Sequence, residues 1–527
     1  FFNAPHSGPC SCDHCQKKYR EVYGEALPTD AKDYRPDWMS RILRDCVDKW
    51  YKQVKDVKPN IPLILYYAIS HDNLYDRLAT CDMICCEPQD VLSLGWQRIP
   101  QSWKPALCIR LGRSEPEIAP VPFGIVHSCP GMDWRHTGLP PAEYRYWLSQ
   151  IPANGGMIWH SITGFADTIS DKRILDCVSE VNHNIAKVEE LMFTAKSTAE
   201  VALLWSMTAG KGGMAAAFMG QVGNAAEGWA EAMINRQVGF DVVLPEQILK
   251  GRLAQYRVAV MPQGTSLDAE MTAALKAFVE GGGRLIVEGV ADDATAEALA
   301  MLGITDDIVH SEPLLASYLR FEPVEGGNPL QKGLEHTPII AHRGVVQYVE
   351  PLEGVRTLAT LVPPFAPLEA VGAPPERASI PNPQSDLPLC LLHASGKGQV
   401  LLVPFALSEL VTAYKLGEHS TLVENMVDML LDGQRRIVSE PVRGLQVIGY
   451  ENGGAQLIHL VNGVGQRPLD TTVPLTGLSL RVRWDGPSAP KATAMLSGEA
   501  VEVAYADGVA TITVPRLEVW DVLKLEA

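Results

Sequence analysis

The chain has 527 residues, enough for about three domains at roughly 150 residues each, and its 46% hydrophobic and 20% charged content is that of a folded globular protein rather than a disordered chain. Sixty-two acidic against 45 basic side chains leave a net charge of −17, which repels nucleic-acid phosphates and anionic lipid alike. No apolar run approaches the roughly 20 residues of a membrane span, so nucleic acid and membranes are excluded as expected partners.

The opening Phe1-Phe2-Asn3-Ala4-Pro5 reads as the end of a strand entering a loop, without an initiator Met or a signal peptide, and further chain upstream is expected. Ten of the eleven cysteines precede residue 178. An odd number in an acidic, enzyme-sized chain suits reduced thiols and a cytoplasmic location better than a disulfide framework.

From Phe1 to about Lys196, short apolar runs alternate with amphipathic stretches. The runs Ile61–Ala68, Met83–Cys86, Ala106–Leu111, Phe123–Val126 and Met157–Trp159 read as buried parallel strands. Trp38, Ile42, Cys46, Trp50 and Val54 recur every fourth residue, Tyr144–Ile151 repeats a shorter helical pattern, and Ile174, Val178, Val181, Ile185, Val188 and Met192 form one face of a long helix. At about 30 residues per βα unit, this zone, residues 1–196, holds the C-terminal part of a (β/α)8 barrel. Its strands are then expected at Phe1-Phe2, Pro62–Ala68, Met83–Glu87, Phe123–Ser128 and Gly156–Ser161, with Ala106–Leu111 an extra segment.

Barrel active sites form at the C-terminal strand ends. Read in order, those ends carry Asn3 and His6; Tyr66 and Tyr67; Glu87; His127, Asp133, Trp134, Arg135 and His136; Trp159 and His160. Aromatic faces suit sugar C–H surfaces, and Asn, His, Asp and Arg hydrogen-bond hydroxyls, so a carbohydrate is the expected ligand. Glu87 leaves the apolar strand CDMICC and is a candidate general acid/base, because partial desolvation raises a carboxyl pKa toward proton donation. The alternative is that Glu87 caps a helix beginning at Pro88. Asp133 is a second catalytic candidate, or else a loop-ordering partner of Arg135 or His136. The histidines and tryptophans are candidate sugar contacts or packing groups of the rim.

Cys10-Ser11-Cys12-Asp13-His14-Cys15 offers three thiolates at C-x-C-x-x-C spacing, close to a structural zinc site, with His6, His14, Cys46 or an upstream residue as fourth ligand, or simply reduced thiols.

Residues 197–434 read as a flavodoxin-like, doubly wound α/β domain. Strands are expected at Val201–Trp205, Phe240–Leu244, Tyr256–Met261, Arg284–Glu288 and Gln399–Val403, and helices at about Asn224–Gln237 and Ala269–Glu280. Gly281-Gly282-Gly283 follows a helix and precedes a strand, the reverse of a phosphate loop, so it is read as a helix stop. Pro363–Leu387 is read as a long loop. Residues 435–527 alternate six short β runs with Gly, Asn and Asp turns and read as a small β-sandwich, with a hairpin at Ala504–Gly508.

Asn3–Gly24 resembles the fourth-strand loop of family-42-type β-galactosidases and of related barrel glycosidases that include α-L-fucosidase-like enzymes. Val201–Trp205, Gly239–Val243, Leu253–Pro262 and Phe278–Val287 are similar to the β-galactosidase trimerisation domain. The likeness covers about residues 1–290 and implies a glycoside hydrolase, cleaving O-glycosyl bonds, with a barrel, a trimerisation domain and a C-terminal β domain, assembled as a homotrimer. It implies no required cofactor. The β-galactosidase acid/base position falls at or before Phe1, and Phe123–Trp134 holds no Glu for their nucleophile. Fucosidase-like and related α-glycosidases are the better match: an Asp nucleophile ends the fourth strand, expected here before Phe1, and in some relatives the acid/base comes from the sixth strand, which Glu87 fits. The expectation is a retaining exo-glycosidase of α-L-fucosidase-like or galactosidase-like type. The alternative is a catalytically inactive carbohydrate-binding or assembly protein on the same scaffold. A nucleotide-binding enzyme is a third, weaker reading, since Ser206–Gly213 lacks the G-x-x-x-x-G-K-[ST] pattern.

Overall fold

The structure, a computed structural model, describes residues 2–3, 10–35, 38–66, 82–86, 103–114, 121–131, 134–162, 164–165, 167–206, 225–364 and 386–527. Its first strands are β1 (Phe2–Asn3), β2 (Ile64–Tyr66), β3 (Met83–Cys86), β4 (Phe123–His127) and β5 (Met157–Ser161). They pair strictly in chain order, and every pairing is parallel. Parallel neighbours need crossovers. Helices α1 (Asp13–Tyr23), α2 (Trp38–Val57), α3 (Lys104–Gly112) and α4 (Pro141–Ala153) lie on the described ones, and α5 (Arg173–Phe193) follows β5. A doubly wound sheet would reverse its order at a switch point, whereas this one advances in one direction, as the wall of a (β/α) barrel does.

The run Ala106–Leu111, read as a strand, is instead the body of α3. Ala106, Leu107, Ile109 and Leu111 are all buried, and even Arg110 is only 8% exposed. The helix is wedged between β3 and β4 on one side and the strand Phe240–Val243 of the sheet that follows on the other, so its sequence has no polar face to betray a 3.6-residue period.

Gly124 fixes which face of the arc meets the helices. A Cβ there would lie 2.5 Å from Cδ1 of Ile151 on α4, so β4 can approach that helix only with glycine at this position. Side chains alternate along a strand. Gly124 and Val126 therefore face the helices, while Phe123, Ile125 and His127 face the opposite, concave side.

The next strands are β6 (Lys196–Ser197), β7 (Val201–Leu204), β8 (Phe240–Val243), β9 (Val258–Met261), β10 (Arg284–Glu288), β11 (Ile304–His310), β12 (Leu314–Phe321), β13 (Ile339–Gly344), β14 (Gln347–Pro351), β15 (Arg356–Val362), β16 (Pro388–Ser395) and β17 (Gly398–Val403). Nine of them form one sheet in the order β13-β12-β15-β16-β17-β10-β9-β7-β8. The run β8-β7-β9-β10-β17 is parallel throughout and has the 2-1-3-4-5 order of flavodoxin. The remainder departs from the expected doubly wound pattern: between β10 and β17 the chain inserts strands that extend the sheet by antiparallel pairing, and β11 with β14 makes a separate ribbon. Helices α6 (Ala225–Asn235), α7 (Pro245–Leu249), α8 (Ala269–Glu280), α9 (Ala296–Leu302), α10 (Leu407–Tyr414) and α11 (Gly417–Leu430) complete this part. Because α8 ends at Glu280 and β10 starts at Arg284, the three glycines between them are a helix stop. Most of the segment read as a long loop, 365–385, lies outside the described residues.

The last strands are β18 (Ile437–Ser439), β19 (Leu445–Asn452), β20 (Ala455–Asn462), β21 (Leu475–Arg483), β22 (Lys491–Ala494), β23 (Glu502–Ala506), β24 (Val509–Leu517) and β25 (Trp520–Glu526). They form two facing sheets, β18-β21-β24-β23 and β22-β25-β20-β19-β6. The edge strand β6 comes from residues 196–197, where Ser197 and Lys196 pair antiparallel with Tyr450 and Glu451. The β23–β24 turn holds Asp507 and Gly508 at φ +52 and +78, the left-handed pair a two-residue hairpin uses. Helix α4 joins this part to the barrel arc: Gln446 of β19 donates to Gln150 Oε1 at 2.7 Å and to Tyr146 Oη at 3.3 Å. Among the described residues no helix is long and apolar enough to cross a membrane.

Candidate functional site

Backbone register sets Asn3, Tyr66, Cys85, Phe123 and Met157 abreast across the five parallel strands. Trp159 lies two residues further along β5, in register with Ile125, and His127 pairs with Ser161 at the ends of β4 and β5. By strand alternation His127, Trp159 and Ser161 share the concave face near its C-terminal rim. Both His127 and Trp159 are half-buried.

His160 does not join them. It is in register with Val126 on the helix-facing side, where its Nε2 lies 3.3 Å from Asn182 Oδ1 on α5. Its Nδ1 is buried without a partner, and burial lowers the ring's pKa, favouring neutral imidazole. The one-residue alternation of a strand decides this, and it can be read only once the register is known.

Beyond β4, residues 128–131 and 134–140 are described. Trp134, 48% exposed, is carried on a turn closed by Trp134 N–H to Gly131 O at 3.0 Å and Thr137 N–H to Trp134 O at 3.1 Å. Arg135 and His136 are exposed on the same turn. The base of this loop is tied twice: Leu139 N–H donates to Ser128 O at 2.6 Å, and Gly138 N–H donates to Asp171 Oδ2 at 2.8 Å. Arg173 pairs with Asp171 at 2.5 Å and holds its carboxyl well below the usual carboxylate range. Asp171 was missed as a candidate because an isolated Asp-x-Arg carries no signal until the β4 and β5 loops are seen side by side. Glu87, Asp133, His6 and Tyr67 lie outside the described residues. Asn3 and Tyr66 are placed through their backbones, in β1 and β2.

The cysteine cluster sits at the start of α1. Cys12 is the helix N-cap, and the sulfurs of Cys10, Cys12 and Cys15 lie within 4.8 Å of one another. Zn–S bonds of about 2.3 Å in a tetrahedron separate sulfurs by about 3.8 Å, so three corners of a zinc site fit. Among the described residues neither His14 nor Cys46 joins the group; His6 lies outside them. Cys12 is lowered by hydrogen bonding from the Cys15 backbone and by the neighbouring thiols, whereas burial and the neighbouring thiols push Cys15 up to about 12. One thiolate is thus favoured and a third anion disfavoured unless a cation joins them. Helix α1 is fixed by Tyr19, fully buried, whose ring meets Trp38 of α2 edge-on at 4.9 Å and whose hydroxyl accepts Arg35 N–H at 3.1 Å.

No protein-family model and no curated protein matches the chain. Solved structures do share the fold. An α-L-fucosidase, isoenzyme 2, from Paenibacillus thiaminolyticus superposes with a TM-score of 0.77 at 16% identity, covering 98% of this chain and 75% of its own. A β-galactosidase from Bacillus circulans sp. alkalophilus gives 0.67 at 13% identity, covering 99% and 78%. A GH42 β-galactosidase from G. stearothermophilus gives 0.66 at 14% identity, covering 98% and 76%. The chain therefore shares the fold of these three proteins along nearly its whole length.

Proposed function

We propose that this protein is a retaining exo-glycosidase, of α-L-fucosidase-like or galactosidase-like type, acting at the C-terminal ends of β1–β5. The observation that carries the reading is the concave face itself: His127, Trp159 and Ser161 at the strand ends, with Trp134 on the tied loop beyond, in a fold shared with a fucosidase and β-galactosidases. The indoles offer apolar faces to sugar C–H groups, and His127, Arg135 and His136, with Asn3 and Tyr66 assigned to the same site, supply hydrogen bonds to hydroxyls. Glu87, the residue after Cys86 at the end of β3, is assigned as general acid/base. As a carboxylate nucleophile bonds to the anomeric carbon, Glu87 gives its proton to the leaving oxygen whose glycosidic bond breaks; then, as carboxylate, it takes a proton from the water that displaces the nucleophile and releases the sugar. Asp133 is assigned to the same rim. Residues 1–196, 197–434 and 435–527 are taken as barrel, trimerisation-like and sandwich domains of a cytoplasmic homotrimer, with Cys10, Cys12 and Cys15 holding a structural zinc.

The test is a panel of aryl glycosides, including α-L-fucoside and β-galactoside, with the full-length protein and its Glu87→Gln variant. Turnover that falls about 10²- to 10⁴-fold in the variant supports the assignment. Turnover unchanged in the variant removes Glu87 from the mechanism, and sugar binding without hydrolysis of any glycoside overturns the enzyme reading in favour of a binding protein.

A further inference from the structure

At the opposite, N-terminal end of the strand arc lies a cavity of about 690 Å³ enclosed by the barrel arc, the nine-stranded sheet and the sandwich. Asn154 and Arg113, which line it, follow α4 and α3 and precede β5 and β4, so the cavity stands a strand's length from the rim that carries His127. Its size is that of a small-molecule site, and junctions between domains are where such sites concentrate.

Its charge runs against that of the chain. Six arginine and lysine side chains line it against three carboxylates, in a protein of net charge −17. Among the described residues, Arg110, Arg113 and Arg252 have no carboxylate within ion-pair distance. Neutral groups hold the first two in place. Arg110 donates from Nε to Asn154 Oδ1 at 2.9 Å and from Nη1 to Phe240 O at 2.9 Å, with its guanidinium 4.3 Å from the Phe240 ring centre. Arg113 donates from Nη1 to Asn154 O at 3.3 Å and to Tyr450 Oη at 3.1 Å. A Cβ at Gly155, which has φ +82, would collide with that guanidinium, so the seat for Arg113 is cut by a glycine. Arg252 Nε is buried with no acceptor at all. Asp241, the carboxylate whose charge acts on Arg110, is occupied by Ser197 Oγ at 2.8 Å and Tyr256 Oη at 3.2 Å. Burial holds Arg110 below its ordinary pKa, the mark of a desolvated cation lacking a full counter-charge.

We propose that this cavity binds a small multivalent oxyanion, a phosphate monoester or dicarboxylate, through Arg110, Arg113 and Arg252. Planar guanidiniums match such oxygens two at a time, and oriented donors in a partly dry cavity strengthen each contact. Since the lining comes from all three parts of the chain, the bound anion fastens them together, and ligand binding appears as added thermal stability.

The test is thermal unfolding and calorimetric titration of the full chain with inorganic phosphate, a hexose 6-phosphate and malonate, each against sodium chloride of equal ionic strength and a neutral hexose. The expected result is saturable binding with a rise in Tm, weakened at least about tenfold, or about 1.4 kcal/mol, in Arg113→Gln and in Arg252→Gln. Binding by the two phosphates but not malonate assigns a phosphoryl ligand, and the reverse assigns a carboxylate. Arg252→Gln removes a guanidinium whose Nε has no acceptor and which makes no ion pair among the described residues, so that variant is expected to fold and keeps the test decisive if Arg113→Gln does not. No binding up to about 10 mM, or equal binding in the folded variant, overturns the proposal.

Discussion

Removing Arg467 should loosen the sandwich from the barrel arc. Glu143 of α4 is 1% exposed and accepts Trp147 Nε1–H at 2.7 Å and Leu469 N–H at 2.8 Å. It pairs with Arg467, itself only 6% exposed at the side chain, from the loop between β20 and β21. That guanidinium also lies 4.4 Å from the Tyr146 ring centre and 5.4 Å from that of Trp147. Breaking a buried pair by removing one partner costs about 3–5 kcal/mol. Arg467→Met leaves two donors on the carboxylate, which favours about 3, and forfeits about 1 more in cation–π contact, for about 4 kcal/mol in all. Glu143→Gln/Arg467→Met strands no charge and keeps an acceptor for Trp147, so it should cost less than the two single changes together by about 2 kcal/mol or more. Urea unfolding followed by tryptophan fluorescence on wild type, both single variants and the double completes the cycle. If the single changes add to within about 0.5 kcal/mol, the pair behaves as an exposed one and the reasoning is wrong.

The edge of the nine-stranded sheet should weaken in acid. Burial, with the nearby His419, lowers His342 to about 4 from about 6.5 unfolded, so the unfolded chain binds the proton first. Stability is complete above about pH 6.5 and falls by roughly 3 kcal/mol as pH drops toward 4; His342→Phe should flatten that slope in pH-dependent unfolding, and an unchanged slope sinks the assignment. Asp171→Asn should free the loop bearing Trp134. The pair with the half-exposed Arg173 is discounted for solvent, leaving about 1–2 kcal/mol, read as faster proteolysis between residues 128 and 140. Because the folded pKa of Asp171 is depressed, wild type keeps this protection above about pH 4 and loses it only well below. Cys12→Ser should abolish zinc measured by elemental analysis, and a chelator should lower the Tm of the wild type but not of that variant; a metal-free wild type with unchanged Tm refutes the zinc assignment.

Strand positions were legible wherever apolar runs were short and bounded by turn residues: β4, β5, β10 and the β23–β24 hairpin stand within a residue or two of their expected places. His127 and Trp159 could be placed near the strand ends for the same reason, since strand ends are fixed once the strands are. What the one-dimensional pattern could not carry was anything set by a neighbour distant in sequence. Ala106–Leu111 looks like a strand because two sheets cover the helix it forms, removing the polar face that would mark its period. His160 faces α5 because of a register that its own strand does not encode. Lys196-Ser197 joins the sandwich only through pairing with β19, some 250 residues on. The arginine-lined cavity is the extreme case: Arg110, Arg252 and Tyr450 are unremarkable one by one, and they meet only because the barrel arc, the nine-stranded sheet and the sandwich pack against one another through a shared hydrophobic core. Local periodicity reports the solvent a segment avoids, whereas which groups share a cavity depends on how whole sheets stack, and packing alone decides that.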